Sequence, residues 1–353
     1  MMTTNKETKK FFEYIEVDSS LTETDISAPI LNGIRPTAIS VDLTNECNLK
    51  CLHCFWDSNN KYPDKKINPN IIDYVKKALK RFPTISNILW FGGEPLINKE
   101  SISLLEKGLC LRKNNIIVTN GTFPLPNFKN KNLHYGVGID GTEKISNYIK
   151  RADCYKKVKN NMRSAIKKDI PVNIGYCITS LNIQCIPEFL KEWADEGLSG
   201  IFFTLYTRIK GRNQRINLSY QDRCNITFLL QEMKEKYPDL IINSRKMIEL
   251  FHPKYDKDLA DKCPMNIFKK DNHNIYCIHL CNNGKVRLPC ALGKDTAHEE
   301  CRSIGKMALI AGKVFKDKES YLSLLMLFNS KYNKNKEFRK EFAKKIMERK
   351  IKA

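Results

Sequence analysis

The sequence predicts an α/β protein built around a parallel sheet, and three observations lead to this class. Segments with strand and helix patterns alternate for about two hundred residues. The 353 residues are 42% hydrophobic and 28% charged, which is a globular composition in a chain long enough to bury a core without disulfides. No apolar run approaches the ~20 residues of a membrane span, and residues 1–10 lack a signal peptide's apolar core, so we expect a cytoplasmic protein.

The alternating part of the chain runs over residues 37–240. Its apolar runs predict strands at 38–43, 87–91, 116–119, 133–139, 172–178 and 200–206. Its helical spacing predicts helices at 69–81, 99–113, 155–168, 186–196 and 220–236. Because strands that alternate with helices form parallel sheets, both an open six-unit partial barrel and a doubly wound sheet fit this pattern.

The composition changes on both sides of this alternation. Residues 1–36 are an N-terminal extension, 241–310 a small cysteine-rich domain and 311–353 a basic helical segment. In the cysteine-rich domain, residues 275–289 predict a hairpin with Asn283-Gly284 as its turn. In the last segment, Phe338, Phe342 and Ile346 predict an amphipathic helix, which we interpret as packed on the body, with an anionic membrane surface or RNA as alternative contacts.

The net charge of +21 raises the question of a nucleic-acid partner. Lysines number 46 and arginines only 14, although arginine is the side chain that best reads phosphates and guanine. The basic residues are also spread along the chain, except in residues 331–353, which carry ten basic and three acidic residues. We therefore do not expect a nucleic acid to be the partner.

Eight of the thirteen cysteines fall into two clusters, and the first cluster follows the first predicted strand. Cys47, Cys51 and Cys54 form a C-x3-C-x2-C run, which in a chain without a signal peptide indicates metal ligands or catalytic thiols. Three thiolates on one loop can hold three irons of a cubane cluster and leave the fourth open. A structural zinc site would need a fourth ligand, and His53 is the only local candidate.

The second predicted strand ends in Gly92-Gly93-Glu94-Pro95. Two glycines let a ligand approach the backbone closely, and a carboxylate can hold an ammonium group. Both this motif and the cysteine run follow strand ends, where parallel α/β folds place their active sites. No acid–base dyad or nucleophilic triad stands out beside them.

Together, the cysteine run and the Gly92–Pro95 motif resemble the radical S-adenosylmethionine (SAM) superfamily over about residues 37–237. The resemblance implies a partial (β/α)6 TIM-like barrel and a [4Fe–4S] cluster whose open iron binds SAM. It further implies reductive cleavage of SAM to a 5′-deoxyadenosyl radical, an electron donor such as a ferredoxin or flavodoxin, and an anaerobic or well-reduced cytoplasm.

The resemblance also implies which residues contact SAM. The Gly92–Pro95 motif would hold the methionyl ammonium, and His53 would pack on the adenine. Weaker matches at the ends of later strands are Asn120, Asp140, Arg151 and Asn182. The chain departs from the family pattern at Gly138, which replaces a serine.

The cysteines of the tail look like a SPASM or twitch auxiliary-cluster site. They are Cys263, Cys277, Cys281, Cys290 and Cys301, too few for two clusters, so one second [4Fe–4S] cluster is predicted. The first choice of ligands is Cys263, Cys281, Cys290 and Cys301, and Cys277 could replace Cys281. Five rather than four residues separate Gly284 from Cys290, which departs from the usual spacing. A zinc site and reduced structural thiols are the alternatives.

These patterns predict a radical SAM enzyme with an organic substrate. About 36 residues precede the first strand, too few for the leader-binding domain of many peptide-maturing members, which favours a small molecule or a lipid precursor. Peptide maturation and RNA modification are alternative reactions. A non-enzymatic alternative is an iron–sulfur electron carrier or a cysteine-rich binding module, but a carrier would fill all four ligand positions of its cluster.

Overall fold

A computed structural model of the protein describes residues 23–55, 67–112, 114–128, 132–210, 214–264, 276–320 and 323. The strands are β1 (Glu23–Thr24), β2 (Ala38–Thr44), β3 (Asn87–Gly92), β4 (Asn114–Thr119), β5 (Leu133–Gly138), β6 (Val172–Ile178), β7 (Gly200–Leu205), β8 (Cys277–Leu280) and β9 (Val286–Arg287). The α-helices are α1 (Ile71–Arg81), α2 (Lys99–Leu109), α3 (Glu143–Lys150), α4 (Tyr155–Ile166), α5 (Ile186–Trp193), α6 (Tyr220–Lys236), α7 (Arg245–Glu249), α8 (Asp256–Asp261) and α9 (Ile304–Lys313).

All nine strands form one sheet, in the order β1-β9-β8-β2-β3-β4-β5-β6-β7. The six predicted strands are β2 to β7, and they lie side by side in chain order with parallel pairing. A doubly wound sheet would instead reverse its strand order at a switch point. The predicted α/β fold with an open, partial (β/α)6 arrangement is therefore confirmed.

Alternate side chains of the strands face opposite sides of this sheet. On β3, Ile88 and Trp90 are buried, and Trp90 packs so closely on α2 that a Cβ at Gly108 would lie 2.3 Å from its ring. Leu89 and Phe91 face the other side and are only partly buried. The register pairs them with Ser40 and Asp42, and we call this side, away from α2, the inner face of the sheet.

The cysteine-rich tail joins the same sheet instead of forming a layer of its own. Strand β8 pairs in parallel with the open edge of β2, where it satisfies backbone groups that would otherwise be unpaired. At the opposite edge, Arg302 pairs with Leu205 at the end of β7, and Thr296 pairs with Ile209 beyond it. The tail thus contacts both edges of the open sheet.

Several elements differ from the sequence-based expectation. The predicted hairpin is present as β8 and β9, and Gly284 of its turn has a φ of 83°. The short helices α3, α7 and α8, and also α9, were not predicted, because most of them offer too few turns for a helical period to show. The predicted amphipathic helix of the C-terminal segment lies outside the described residues. Among the described helices, none combines the length and the apolar character needed to cross a membrane.

Candidate active site

The loop after β2 carries the three cysteines of the C-x3-C-x2-C run. Cys47, Cys51 and Cys54 are half-buried, and none forms a disulfide. Burial raises the pKa of Cys47 to about 11 and that of Cys51 to about 12, with further contributions from neighbouring thiols of the loop. The three thiols therefore lie near one another, and Cys47 and Cys51 keep their protons until a metal binds.

The two glycines at the end of β3 bring this loop close to the sheet. The backbone N–H of Gly93 donates to the Thr44 carbonyl at 2.7 Å, and that of Glu94 donates to the Glu46 carbonyl at 2.7 Å. A Cβ at Gly92 would lie 2.2 Å from the Thr44 oxygen, and one at Gly93 would lie 2.0 Å from the Glu46 oxygen. The close approach that requires glycine here is that of the cysteine loop itself. The predicted SAM contact of Gly92–Pro95 stays a prediction.

Glu94 connects the ends of β3 and β4. Its fully buried carboxylate accepts hydrogen bonds from Thr119 Oγ1 at 2.6 Å, from the Asn120 N–H at 2.7 Å and from the Leu96 N–H at 3.0 Å. Burial raises the pKa of Glu94, and these hydrogen bonds oppose the increase. In the structure Glu94 fixes two strand ends to each other, and its predicted ammonium contact remains untested.

Asn120 links the end of β4 to the cysteine loop. Its amide Nδ2 donates to Asn48 Oδ1 at 2.9 Å and lies 3.9 Å from the Cys47 sulfur. Its Oδ1 accepts from the backbone and the hydroxyl of Thr122. The side chain therefore lies next to a predicted cluster ligand, as its place at a strand end suggested.

A buried charge cluster lies on the other side of the cysteine loop, at the end of β5. Lys150 Nζ is 2.9 Å and His53 Nε2 is 3.3 Å from Asp140 Oδ2. Burial works to raise the pKa of Asp140, but His53 and Lys150 outweigh it and hold this pKa well below its usual range. Lys150 also acts electrostatically on Cys51 and Glu94, where it favours the charged forms.

Two predicted SAM contacts have different surroundings from those expected. Arg151 is exposed and ends α3 in a left-handed conformation, so the neighbouring Lys150, which sequence reasoning missed, reaches Asp140 instead. Asn182 is fully buried, and its Nδ2 donates to the carbonyls of Asp140 and Cys177. Both stay predictions as SAM contacts.

The departure from the family pattern at Gly138 has a structural reason. A Cβ at Gly138 would lie 3.2 Å from Lys150 Nζ, so a side chain there would require the ammonium to shift by a few tenths of an ångström. The missing side chain leaves room for the buried ion pair of Lys150 with Asp140.

Replacing Lys150 with Met should destabilise the apoprotein by about 3 kcal/mol, because among the described residues it leaves His53 as the one side chain paired with the buried Asp140 carboxylate. Since folding lowers the Asp140 pKa, this loss should be complete above about pH 4 and diminish at lower pH. Anaerobic urea unfolding measures it. The control is Lys76→Met, which breaks an exposed pair with Asp73 and should change little. Equal losses of unfolding free energy in the two variants would show that the buried ion pair contributes no more to stability than the exposed one.

These residues fit an iron–sulfur cluster held by three thiols. A single metal ion needs converging ligands, and within the described ranges only Asp42, His279 and Cys281 bring three such atoms within 4.8 Å of one another. The loop thiols are near but do not converge, as expected where each thiol binds its own iron. Beside them, Nδ1 of His53 is buried and has no hydrogen-bond partner within the described part of the chain.

The tail cysteines divide into two groups. Burial raises the pKa of Cys290 to about 12, and the nearby thiols Cys301 and Cys263 add to the increase, so these three lie together. Cys281 lies instead beside Glu23 and Asp42, and the Cys277 sulfur is 3.7 Å from Ser40 Oγ. Of the predicted tail ligands, the structure thus brings together three.

The structure also pairs residues that sequence reasoning did not connect. His279 Nε2 lies 2.6 Å from Asp42 Oδ2, although 237 positions separate the two residues in the chain. The available signals were an aspartate inside the apolar run of β2 and a histidine on the same strand face as Cys277. Only the pairing of β8 with β2 brings them together.

Comparison with known proteins supports this site. Residues 41–192 match the family model of the radical SAM superfamily. The chain is 23% identical to a probable GTP 3',8-cyclase of Methanocaldococcus jannaschii, over 74% of this chain and 87% of that protein.

Solved structures show the same fold. SuiB of Streptococcus suis bound to S-adenosylmethionine superposes with a TM-score of 0.56 and 14% identity, over 73% of this chain and 60% of SuiB. The chain therefore spans less than two thirds of SuiB, another structure of which holds the precursor peptide SuiA. AdoMet-bound anSMEcpe gives a TM-score of 0.53 and 17% identity, over 82% of this chain and 84% of anSMEcpe.

The match over residues 41–192 contains both the cysteine run and the Gly92–Pro95 motif. The cofactors of this superfamily are a [4Fe–4S] cluster and SAM. Residues 41–192 of this chain therefore form a radical SAM domain.

Proposed function

We propose that the enzyme acts on a small organic molecule, such as a metabolite or a lipid precursor, that binds at the inner face of the sheet. The observation that carries this proposal is the path of the tail, which contacts the edge of β2 through β8 and the end of β7 through Arg302. A site bordered at both edges favours a small substrate and limits side reactions of a radical with solvent. The match over 87% of a probable GTP cyclase supports this choice.

The cofactors, when bound, supply a 5′-deoxyadenosyl radical that abstracts hydrogen from the substrate or adds to it. The chain's own residues hold and orient the reactants. Glu94 and Asn120 fix the strand ends beside the cysteine loop. The partly exposed side chains of the inner face include the apolar residues Leu89, Phe91 and Phe202, which would contact an apolar part of the substrate.

Peptide maturation is the second candidate, and the likeness to SuiB favours it. The two candidates can be separated by anaerobic turnover with dithionite and SAM in the presence of fractionated cell extract. We expect the low-molecular-mass fraction, or an organic extract of lipids, to stimulate formation of 5′-deoxyadenosine. Stimulation only by the macromolecular fraction, with loss of the effect after protease treatment, would replace the small-molecule proposal by a peptide substrate. Loss after ribonuclease treatment would indicate RNA.

We also propose that the tail binds a second [4Fe–4S] cluster through Cys263, Cys290 and Cys301. All three thiols are buried, and Cys263 and Cys301 lie near enough to Cys290 to raise its pKa, so the three can bind one cluster. Reconstituted protein should then contain about eight irons per chain, and a variant with alanine at all three positions about four. A wild-type value near four would exclude the auxiliary cluster.

An electron donor of the ferredoxin or flavodoxin type and a cytoplasmic location remain proposals. The basic C-terminal segment at residues 331–353, proposed to pack on the body or to contact a membrane surface, lies outside the described residues.

A further inference from the structure

A further group of potential metal ligands lies apart from the cysteine loop after β2 and from the three tail thiols Cys263, Cys290 and Cys301. Asp42 on β2, His279 on β8 and Cys281 at the end of β8 are all buried. Each offers one ligand atom, an oxygen, a nitrogen and a sulfur, and these three atoms lie within 4.8 Å of one another. We call Asp42, His279 and Cys281 the inner-face triad.

The histidine of the triad is held in the orientation that a metal ligand needs. Its Nδ1 lies 2.7 Å from Ser40 Oγ, and Ser40 Oγ donates to the Ile278 carbonyl at 3.3 Å. In this arrangement Nδ1–H donates to the Ser40 hydroxyl, and the hydroxyl donates to the Ile278 carbonyl. Nε2 then faces Asp42 Oδ2 at 2.6 Å and lies among the other ligand atoms of the triad, and this kind of support at Nδ1 is typical of metal-binding histidines.

The charges around the triad favour an added cation. Within the described part of the chain, the carboxylates of Asp42 and Glu23 lie beside one guanidinium, that of Arg287, whose Nη2 is 3.7 Å from Asp42 Oδ2. The thiol of Cys281 donates to Glu23 Oε1 at 3.4 Å. Asp42, Glu23 and Arg287 together carry an excess of one negative charge. A divalent ion that displaces the thiol proton makes the group neutral.

We propose that the inner-face triad binds one divalent transition metal of the zinc type, with Asp42, His279 and Cys281 as its protein ligands. Cysteine, histidine and aspartate are all zinc ligands, and catalytic zinc sites typically have three protein ligands. The register places Ser40, Asp42 and His279 on the inner face, the side where the substrate is proposed to bind. A metal there would polarise a substrate oxygen or nitrogen.

Arg287 is the group that opposes this metal. Its Nη1 lies 3.4 Å from His279 Nε2, so its positive charge raises the free energy of a bound cation. Arg287→Gln should therefore bind zinc more tightly than the wild type. Ser40→Ala, which removes the support of Nδ1, should weaken binding by about 10-fold to 100-fold.

The test uses protein with its iron–sulfur clusters reconstituted, equilibrated with Zn²⁺ and then freed of excess metal. Zinc and iron per chain are measured by mass spectrometry, and X-ray absorption at the zinc edge reports the donor atoms. We expect one zinc per chain with one sulfur ligand. His279→Gln and Cys281→Ser should lose the zinc and keep the iron content and the circular dichroism of the wild type. Cys224→Ser, a half-buried cysteine of α6 that belongs neither to the triad nor to the clustered thiols, is the control and should keep both.

Three results would overturn the proposal. Absence of zinc from the wild type would mean that the triad binds no metal and that His279 and Asp42 serve only as a buried hydrogen-bonded pair. Retention of zinc in both ligand variants would place the zinc elsewhere. Loss of about four irons in Cys281→Ser would make Cys281 a ligand of the auxiliary cluster. Because iron and zinc are counted separately, failure of the auxiliary-cluster proposal and failure of the zinc proposal give different results.

Discussion

Replacing Cys51 with alanine should reduce the formation of 5′-deoxyadenosine from SAM to the background level while the chain stays folded. Cys51 lies between the other two thiols of the loop and interacts with both of them and with Lys150. Removing one of three ligands leaves a second iron without a thiolate, so the cluster should not be retained. Mass spectrometry of anaerobic reactions with dithionite, together with iron analysis, measures both consequences.

Cys110→Ala is the matched control for this variant. Cys110 is exposed at the end of α2 and belongs to neither group of clustered thiols, so its replacement should leave iron content and SAM cleavage unchanged. If Cys51→Ala retained SAM cleavage, the assignment of the loop as the cluster site would be wrong.

Replacing Gly93 with alanine should prevent cluster binding without removing any ligand. The added Cβ would lie 2.0 Å from the Glu46 oxygen and 3.0 Å from the Cys47 nitrogen. Both are backbone atoms, so the cysteine loop itself has to move. We expect a destabilisation of about 2–3 kcal/mol and an iron content lowered by about four per chain. Urea unfolding of the apoprotein and iron analysis after reconstitution measure these two effects.

Gly305→Ala provides the comparison for Gly93→Ala. Gly305 lies in α9, and a Cβ there meets nothing within 4 Å. This variant should be slightly more stable than the wild type, by no more than ~1 kcal/mol, because alanine favours the helix. Normal iron binding in Gly93→Ala would show that the loop can shift and still hold the cluster.

The two glycine variants also separate two explanations of the Gly92-Gly93 pair. In the sequence, the pair indicated that a ligand approaches the backbone. In the structure, the groups that approach are the backbone carbonyls of Thr44 and Glu46. They accept hydrogen bonds from the backbone N–H groups of Gly93 and Glu94. Loss of the apoprotein's stability in Gly93→Ala would therefore support the role in the loop, since the apoprotein has no bound ligand to displace.

The sequence by itself determined the features that depend on neighbouring residues. The spacing of Cys47, Cys51 and Cys54 indicated the cluster loop, and the alternation of apolar runs identified all six strands of the barrel. These signals are readable because one loop or one buried strand is encoded by consecutive residues. The same local signals indicated the hairpin at Asn283-Gly284.

Only the tertiary structure decided which distant residues meet. The choice of an open barrel over a doubly wound sheet depended on the strand order, which periodicity does not contain. The pairing of β8 with β2 placed His279 beside Asp42 and Cys281 apart from Cys290. The choice of Lys150 over Arg151 followed from the direction in which α3 ends. Each of these results comes from packing between segments far apart in the chain, and no single segment's sequence encodes that packing.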